Sequence, residues 1–151
     1  MLQQFVTPLC VDLDGTLVET NTLFEAAIVA LKKNPLRIFA LLASAFQGKA
    51  LVKHVIGTYT AGENFIWLYN SDLLAFLRSE HAKGRKLILA TASDKTIADA
   101  IATELGIFNE VIASTPQTSV TASKKYKVLE ERFGNKNFSY AGNSRDDISV
   151  W

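Results

Sequence analysis

The sequence predicts an α/β protein: a Rossmann-like parallel sheet flanked by helices, with a small helical cap inserted after the first strand. Four short strand-like segments carry the prediction, at Pro8 to Leu17, Lys86 to Thr91, Glu110 to Ser114 and Asn137 to Ala141. The first two are apolar enough to read as buried strands. Amphipathic stretches of helical period lie between the later runs, and alternation of strand and helix is the pattern of a parallel sheet. Helix from about Leu23 to Ala61 breaks that alternation, which marks residues 21–70 as an insertion.

Each element follows from local signals. Leu23, Ala26, Ala27, Ala30 and Leu31 keep helical spacing, and Pro35 closes that helix because the residue before a proline is disfavoured in helix. Leu36 to Gln47 is apolar on nearly every side and is expected to pack within the cap, or else to form an exposed docking patch on a membrane or a fused membrane domain. Gly48 ends it, and Lys49 to Tyr59 forms a third short helix. Asp72 to Ala82 is amphipathic, with Ser71 or Asp72 as N-cap and Lys83-Gly84-Arg85 as its basic, glycine-containing end. Ser93 is the expected cap of a helix from Asp94 to Leu105, which Gly106 stops. Lys124 to Phe133 forms the last helix, closed by Gly134. The core is therefore expected over 1–20 and 71–151, and the cap over 21–70.

Composition narrows the function classes. A chain of 151 residues makes about one domain. Sixteen Lys and Arg nearly cancel fifteen Asp and Glu, and 48% of residues are hydrophobic, which excludes a disordered polyelectrolyte. The same balance argues against nucleic acid as a partner, since its binders carry a basic surplus. A single cysteine, Cys10, excludes an internal disulfide or a cysteine-rich zinc site and points to a reducing, cytoplasmic compartment. Two residues before Asp12, it is expected to be a small core residue. No run reaches the roughly 20 apolar residues of a membrane helix, and MLQQFVTPLC lacks a signal-peptide pattern. His54 and His81 lie on helices without a partner at metal spacing and are expected to be structural.

In open parallel sheets the site lies at the carboxyl ends of the strands. Those ends carry Asp12 and Asp14, then Thr91 and Ser93, then Asn143, Asp146 and Asp147, while Lys124 and Lys125 open the helix before the last strand. Carboxylates gathered this way repel unless a cation joins them or their pKa values shift. Oxygen donors without His or Cys suit a hard ion such as Mg2+. A lysine and a hydroxyl beside them suit phosphoryl oxygens, and a carboxylate can itself be the nucleophile.

The segment Val11-Asp12-Leu13-Asp14-Gly15-Thr16 resembles the DxDGT signature of the haloacid-dehalogenase-like (HAD) superfamily. The remaining motifs follow in that family's order: Thr91 closing LILAT, Lys125 opening KYKVL, and Gly142-Asn143-Ser144-Arg145-Asp146-Asp147 at the last strand. CVDLDGTL, LATASD, ERFG and YAGNSRDDISVW are similar to the HAD-type domain that precedes the membrane-embedded transferase in some bacterial UbiA-type prenyltransferases.

The resemblance implies a Mg2+-dependent phosphatase acting on a small phosphorylated substrate through an aspartyl-phosphate. Asp12 would be the nucleophile. Asp14 would protonate the leaving group and then activate water, as in the hydrolytic phosphatases of the family. Thr91 would hydrogen-bond a phosphoryl oxygen, with Gly15, Thr16 and Ala92 in the same phosphate-binding segments. Lys125 would neutralise the nucleophile and the phosphate, with Lys124 the alternate. Mg2+ would be held by Asp12, Asn143 and Asp147 and by the backbone carbonyl of Asp14. Asn143 departs from the aspartate common at that position and removes one negative charge. That departure leaves open a rival reading, a weakly active or non-catalytic regulatory domain attached to a membrane prenyltransferase. Phosphotransfer to an acceptor other than water would use the same residues. The resemblance also implies a parent chain longer than 151 residues, lying at the cytoplasmic face of a membrane.

Overall fold

The computed structural model describes residues 7–143. Four strands, β1 (Leu9–Val11), β2 (Leu87–Asp94), β3 (Glu110–Ser114) and β4 (Ser139–Ala141), form one parallel sheet in the order β3-β2-β1-β4. Cys10 stands opposite Ile88 on one side and Tyr140 on the other. Six helices accompany the strands: α1 (Thr22–Lys33), α2 (Arg37–Ala45), α3 (Lys49–Thr60), α4 (Ser71–Ala82), α5 (Lys95–Leu105) and α6 (Ala122–Phe133). The predicted α/β class with an all-helical insertion is the observed architecture.

Side chains alternate across the sheet with the two-residue period of a strand. Leu9, Val11, Leu87 and Leu89 face the larger core, which gathers Leu77 of α4 and Ile97, Ala98 and Ile101 of α5. Cys10, Ile88 and Ala90 face the opposite way onto Leu129 and Tyr126 of α6. One helix thus covers the second face where it meets β1, and α6 brings Lys125 to that face.

The insertion leaves and returns at one place. Glu19 N–H donates to the Leu68 carbonyl and Asn70 N–H to the Leu17 carbonyl, both at 2.9 Å. Between these stitches α1, α2 and α3 pack on one another, and α3 leans on α5 and β2.

Several boundaries differ from expectation for reasons of capping. The first strand ends at Val11, because the chain turns at Asp12 to Thr16 and Gly15 takes a left-handed φ of 71°. The α4 cap is Asn70, whose side chain accepts from Leu73 N–H at 3.0 Å, and neither Ser71 nor Asp72. The α5 cap is Asp94, not Ser93: β2 runs on to Asp94, whose carboxylate accepts from Thr96 N–H at 2.8 Å. The α6 helix starts at Ala122, so Lys125 sits one turn inside it. The α2 helix is not a core helix. Ser44 is its one buried residue, while Ile38, Phe39 and Leu42 lie exposed on it. Among the described residues no helix is long and apolar enough to cross a membrane.

Candidate active site

The carboxyl end of β1 delivers Asp12, which is buried. Its Oδ1 receives a hydrogen bond from Lys125 Nζ at 2.7 Å, and Lys125 is only 3% exposed. The same ammonium donates to the Tyr140 hydroxyl at 2.8 Å and lies 5.5 Å from the centre of its ring. Strand parity explains the trio. Tyr140 is in register with Cys10, so both face α6, and from its second turn α6 drops Lys125 between Tyr140 and the end of β1. A charge this deep is tolerated only when paired and hydrogen-bonded. Thr16 Oγ1 donates to Asp12 Oδ2 at 3.4 Å.

Asp14 points to the inserted helices. Its Oδ1 accepts from the Thr22 N–H and the Thr22 hydroxyl, each at 2.7 Å, and its Oδ2 accepts from the Ser93 hydroxyl at 2.5 Å. Thr22 opens α1, so the carboxylate satisfies a backbone donor that the helix start leaves unpaired and complements the positive end of its dipole. One carboxylate thus joins the β1 turn, the first inserted helix and β2.

Thr91 is fully buried, and its hydroxyl oxygen accepts from Ser93 N–H at 3.0 Å, leaving its proton for another acceptor. Ala92 contributes its carbonyl, which accepts from Lys53 Nζ of α3 at 2.8 Å and from the Ser114 hydroxyl at 2.9 Å. The Asn143 amide donates to the Gly15 carbonyl, and a Cβ added at Gly15 would come within 3.4 Å of the Asn143 side chain. The last strand therefore closes on the turn that follows Asp12. Lys124 is exposed, and Lys125 is the lysine that reaches the site.

The expected metal set of Asp12, Asp14, Asn143 and Asp147 is only partly brought together. Asp12 follows β1 and Asn143 reaches the Gly15 carbonyl of the turn there. The Asp14 ligand is expected to be its backbone carbonyl, so the hold of Thr22 and Ser93 on its carboxylate does not remove it. Asp146 and Asp147 lie outside the described residues. Among the described residues no cluster of three or more His, Cys, Asp or Glu side chains is placed to hold a metal. His54, expected to be structural, meets Asp94 with its Nδ1 3.3 Å from Oδ2 and so ties α3 to the end of β2. Sequence reasoning missed Tyr140, Thr22 and Lys53. Strand parity against Cys10 is the signal that could have found Tyr140; the other two depend on how the insertion folds back.

No protein-family model matches the chain. It is 31% identical over 144 residues to the uncharacterized protein y4nM of Sinorhizobium fredii (strain NBRC 101917 / NGR234). That match covers 95% of this chain and 28% of the relative, so the chain spans under a third of the relative's length. Among solved structures, a predicted phosphoglycolate phosphatase from Haemophilus somnus 129PT aligns with a TM-score of 0.64 at 21% identity, over 99% of this chain and 82% of that one. The HAD family hydrolase t0658 from Salmonella enterica serovar Typhi aligns at 0.62 and 16%, over 95% and 60%. A substrate-bound phosphoserine phosphatase aligns at 0.62 and 13%, over 98% and 82%. With its parallel sheet, its helices inserted after β1 and its motifs at the strand ends, the chain has the fold of the HAD-family hydrolases.

Proposed function

We propose that the chain hydrolyses a phosphomonoester through an aspartyl-phosphate on Asp12. The observation that carries this reading is the buried Asp12–Lys125 pair at the end of β1, with Asp14 two residues on. Phosphatases among the structural neighbours support the same direction. Lys125 holds one carboxylate oxygen of Asp12 by charge, so the other is oriented toward an incoming phosphorus atom. Attack forms the Asp12 O–P bond as the ester P–O bond breaks, and the leaving oxygen takes a proton from Asp14, which enters the cycle protonated and turned from Thr22 and Ser93 toward the leaving group. Asp14 then removes a proton from water, whose oxygen attacks phosphorus, frees the Asp12 carboxylate and releases phosphate. Thr91 offers its hydroxyl proton, and Gly15 and Thr16 their turn, to the phosphoryl oxygens.

The donor set around the β1 turn is all oxygen, which fits Mg2+: the Asp12 carboxylate, the Asp14 backbone carbonyl and the Asn143 amide carbonyl would hold it. When bound it would supply charge neutralisation at the phosphoryl group. The helices over 21–70 act in this reading as a cap that excludes water, and Asp14 ties them to the site through Thr22.

Asn143 favours a second reading, a regulatory domain that binds a phosphorylated ligand with weak or no turnover. None of the relatives described above is named as a prenyltransferase, so that association rests on the sequence resemblance alone. Turnover of para-nitrophenyl phosphate with and without Mg2+ separates the two. Metal-dependent release of nitrophenol, abolished in Asp12→Asn, is the expected result. An inactive wild type that gains activity in Asn143→Asp gives the chain to the regulatory reading.

A further inference from the structure

We propose that the outer face of α2 docks on an anionic lipid surface. Leu36, Ile38, Phe39, Leu42 and Phe46 are all exposed, Phe46 at 93%. The small residues exposed between them, Ala40, Ala43 and Ala45, are apolar too. On a wheel of 3.6 residues per turn these side chains fill an arc of about 220°. Only Arg37, Leu41 and Ser44 turn inward, Arg37 over the Tyr59 ring at 4.5 Å. Neither end of the helix has a side-chain cap, and it carries no acidic residue. A contiguous apolar surface of this kind marks an interaction site.

Charge selects the partner. Residues 21–70 carry Lys32, Lys33, Arg37, Lys49 and Lys53 against Glu25 and Glu63, whereas the whole chain is only +1. The rest of the molecule is therefore net acidic, and the helical insertion is its cationic pole. Lys33 pairs with Glu63 and Lys53 reaches Ala92, which leaves Lys32 and Lys49 exposed, on the helices that flank the apolar segment in the chain. An apolar stripe bounded by lysines is the pattern of a helix lying in the plane of a membrane interface, with aromatic and leucine side chains in the acyl boundary and cations at the headgroups. A protein partner buried by apolar contact alone would not call for that charge separation. The surface lies outside the residues around Asp12 and is independent of the catalytic site.

The test is cosedimentation of the chain with phosphatidylcholine vesicles with and without phosphatidylglycerol, at low and physiological salt. Binding is expected to the anionic vesicles and to weaken with salt and in pure phosphatidylcholine. Phe46→Glu should lower the partition coefficient by about tenfold or more, and Lys32→Glu with Lys49→Glu should remove the preference for phosphatidylglycerol. Phe46 is so exposed that its replacement leaves the fold intact; circular dichroism checks this, and Lys32→Glu provides a second, polar-site variant. The proposal is overturned if wild type stays in the supernatant with anionic vesicles, or if Phe46→Glu binds as well as wild type. A concentration-dependent dimer that Phe46→Glu dissolves, without vesicle binding, also overturns it and gives the face to a second copy.

Discussion

Gly57 of α3 packs so closely on Asp94 that a Cβ at this position would lie 2.6 Å from the Asp94 carboxylate oxygen. Gly57 is buried in mid-helix, where replacing glycine by alanine ordinarily stabilises by about 1 kcal/mol. Here the added methyl meets a carboxylate fixed by Thr96 N–H and His54. Gly57→Ala should therefore destabilise, by about 1–3 kcal/mol. The sign of the change in urea midpoint checks the contact, since propensity alone gives a gain.

The Asp12–Lys125 pair predicts strong non-additivity. Removing one partner of a buried ion pair costs up to about 3–5 kcal/mol. Lys125→Met should lower stability by that amount, and the double variant Asp12→Asn with Lys125→Met should recover most of it. A double-mutant cycle in urea measures the coupling. Additive losses would mean that the two side chains are not paired in solution.

Tyr140 is a positioning residue in this arrangement. Its hydroxyl takes one Lys125 proton at 2.8 Å and so aims another at Asp12. Tyr140→Phe keeps the ring beneath the ammonium and removes the acceptor. Under the phosphatase reading kcat should fall about tenfold, the rate equivalent of about 1.4 kcal/mol, with KM little changed. A rise in KM at constant kcat would assign the hydroxyl to substrate binding instead.

What the sequence made legible was local. Apolar runs marked β1 and β2, short segments between helix and glycine signals marked β3 and β4, helical spacing and Pro35 marked α1, and the DxDGT turn marked Asp12, because each signal lies within a few neighbouring residues. What it hid was contact across distance. Ser93 is an adequate N-cap by residue type, yet Asp94 has that place because β2, after a register shift past Ala90, pairs again at Asp94 with Ser114. Asp14 was legible as chemistry but not as the ligand of Thr22, since that bond depends on where the insertion folds back. The α2 helix is apolar by composition, and exposure is a property of its neighbours.

Cys10 yields a pH prediction. It lies fully buried in the sheet, and that burial pushes its thiol from the ordinary 9.0 up to about 12, with the Glu110 carboxylate adding to the rise and Lys86 opposing it. Between these values the unfolded chain has released the proton while the folded chain keeps it, so the unfolded state binds fewer protons and stability falls as pH rises. The thiol's contribution is thus complete below about pH 9 and is lost toward about pH 12, at a slope of about 1.4 kcal/mol per pH unit. Tyr69, raised by burial and by Glu104, acts in the same direction at higher pH. Cys10→Ala should therefore flatten the alkaline decline in Tm relative to wild type. In the folded protein the thiol should also resist alkylation at pH 8 and react only on unfolding, because the thiolate is the nucleophile. Rapid labelling of the native chain at pH 8 would show that the strand pairing around Cys10 opens.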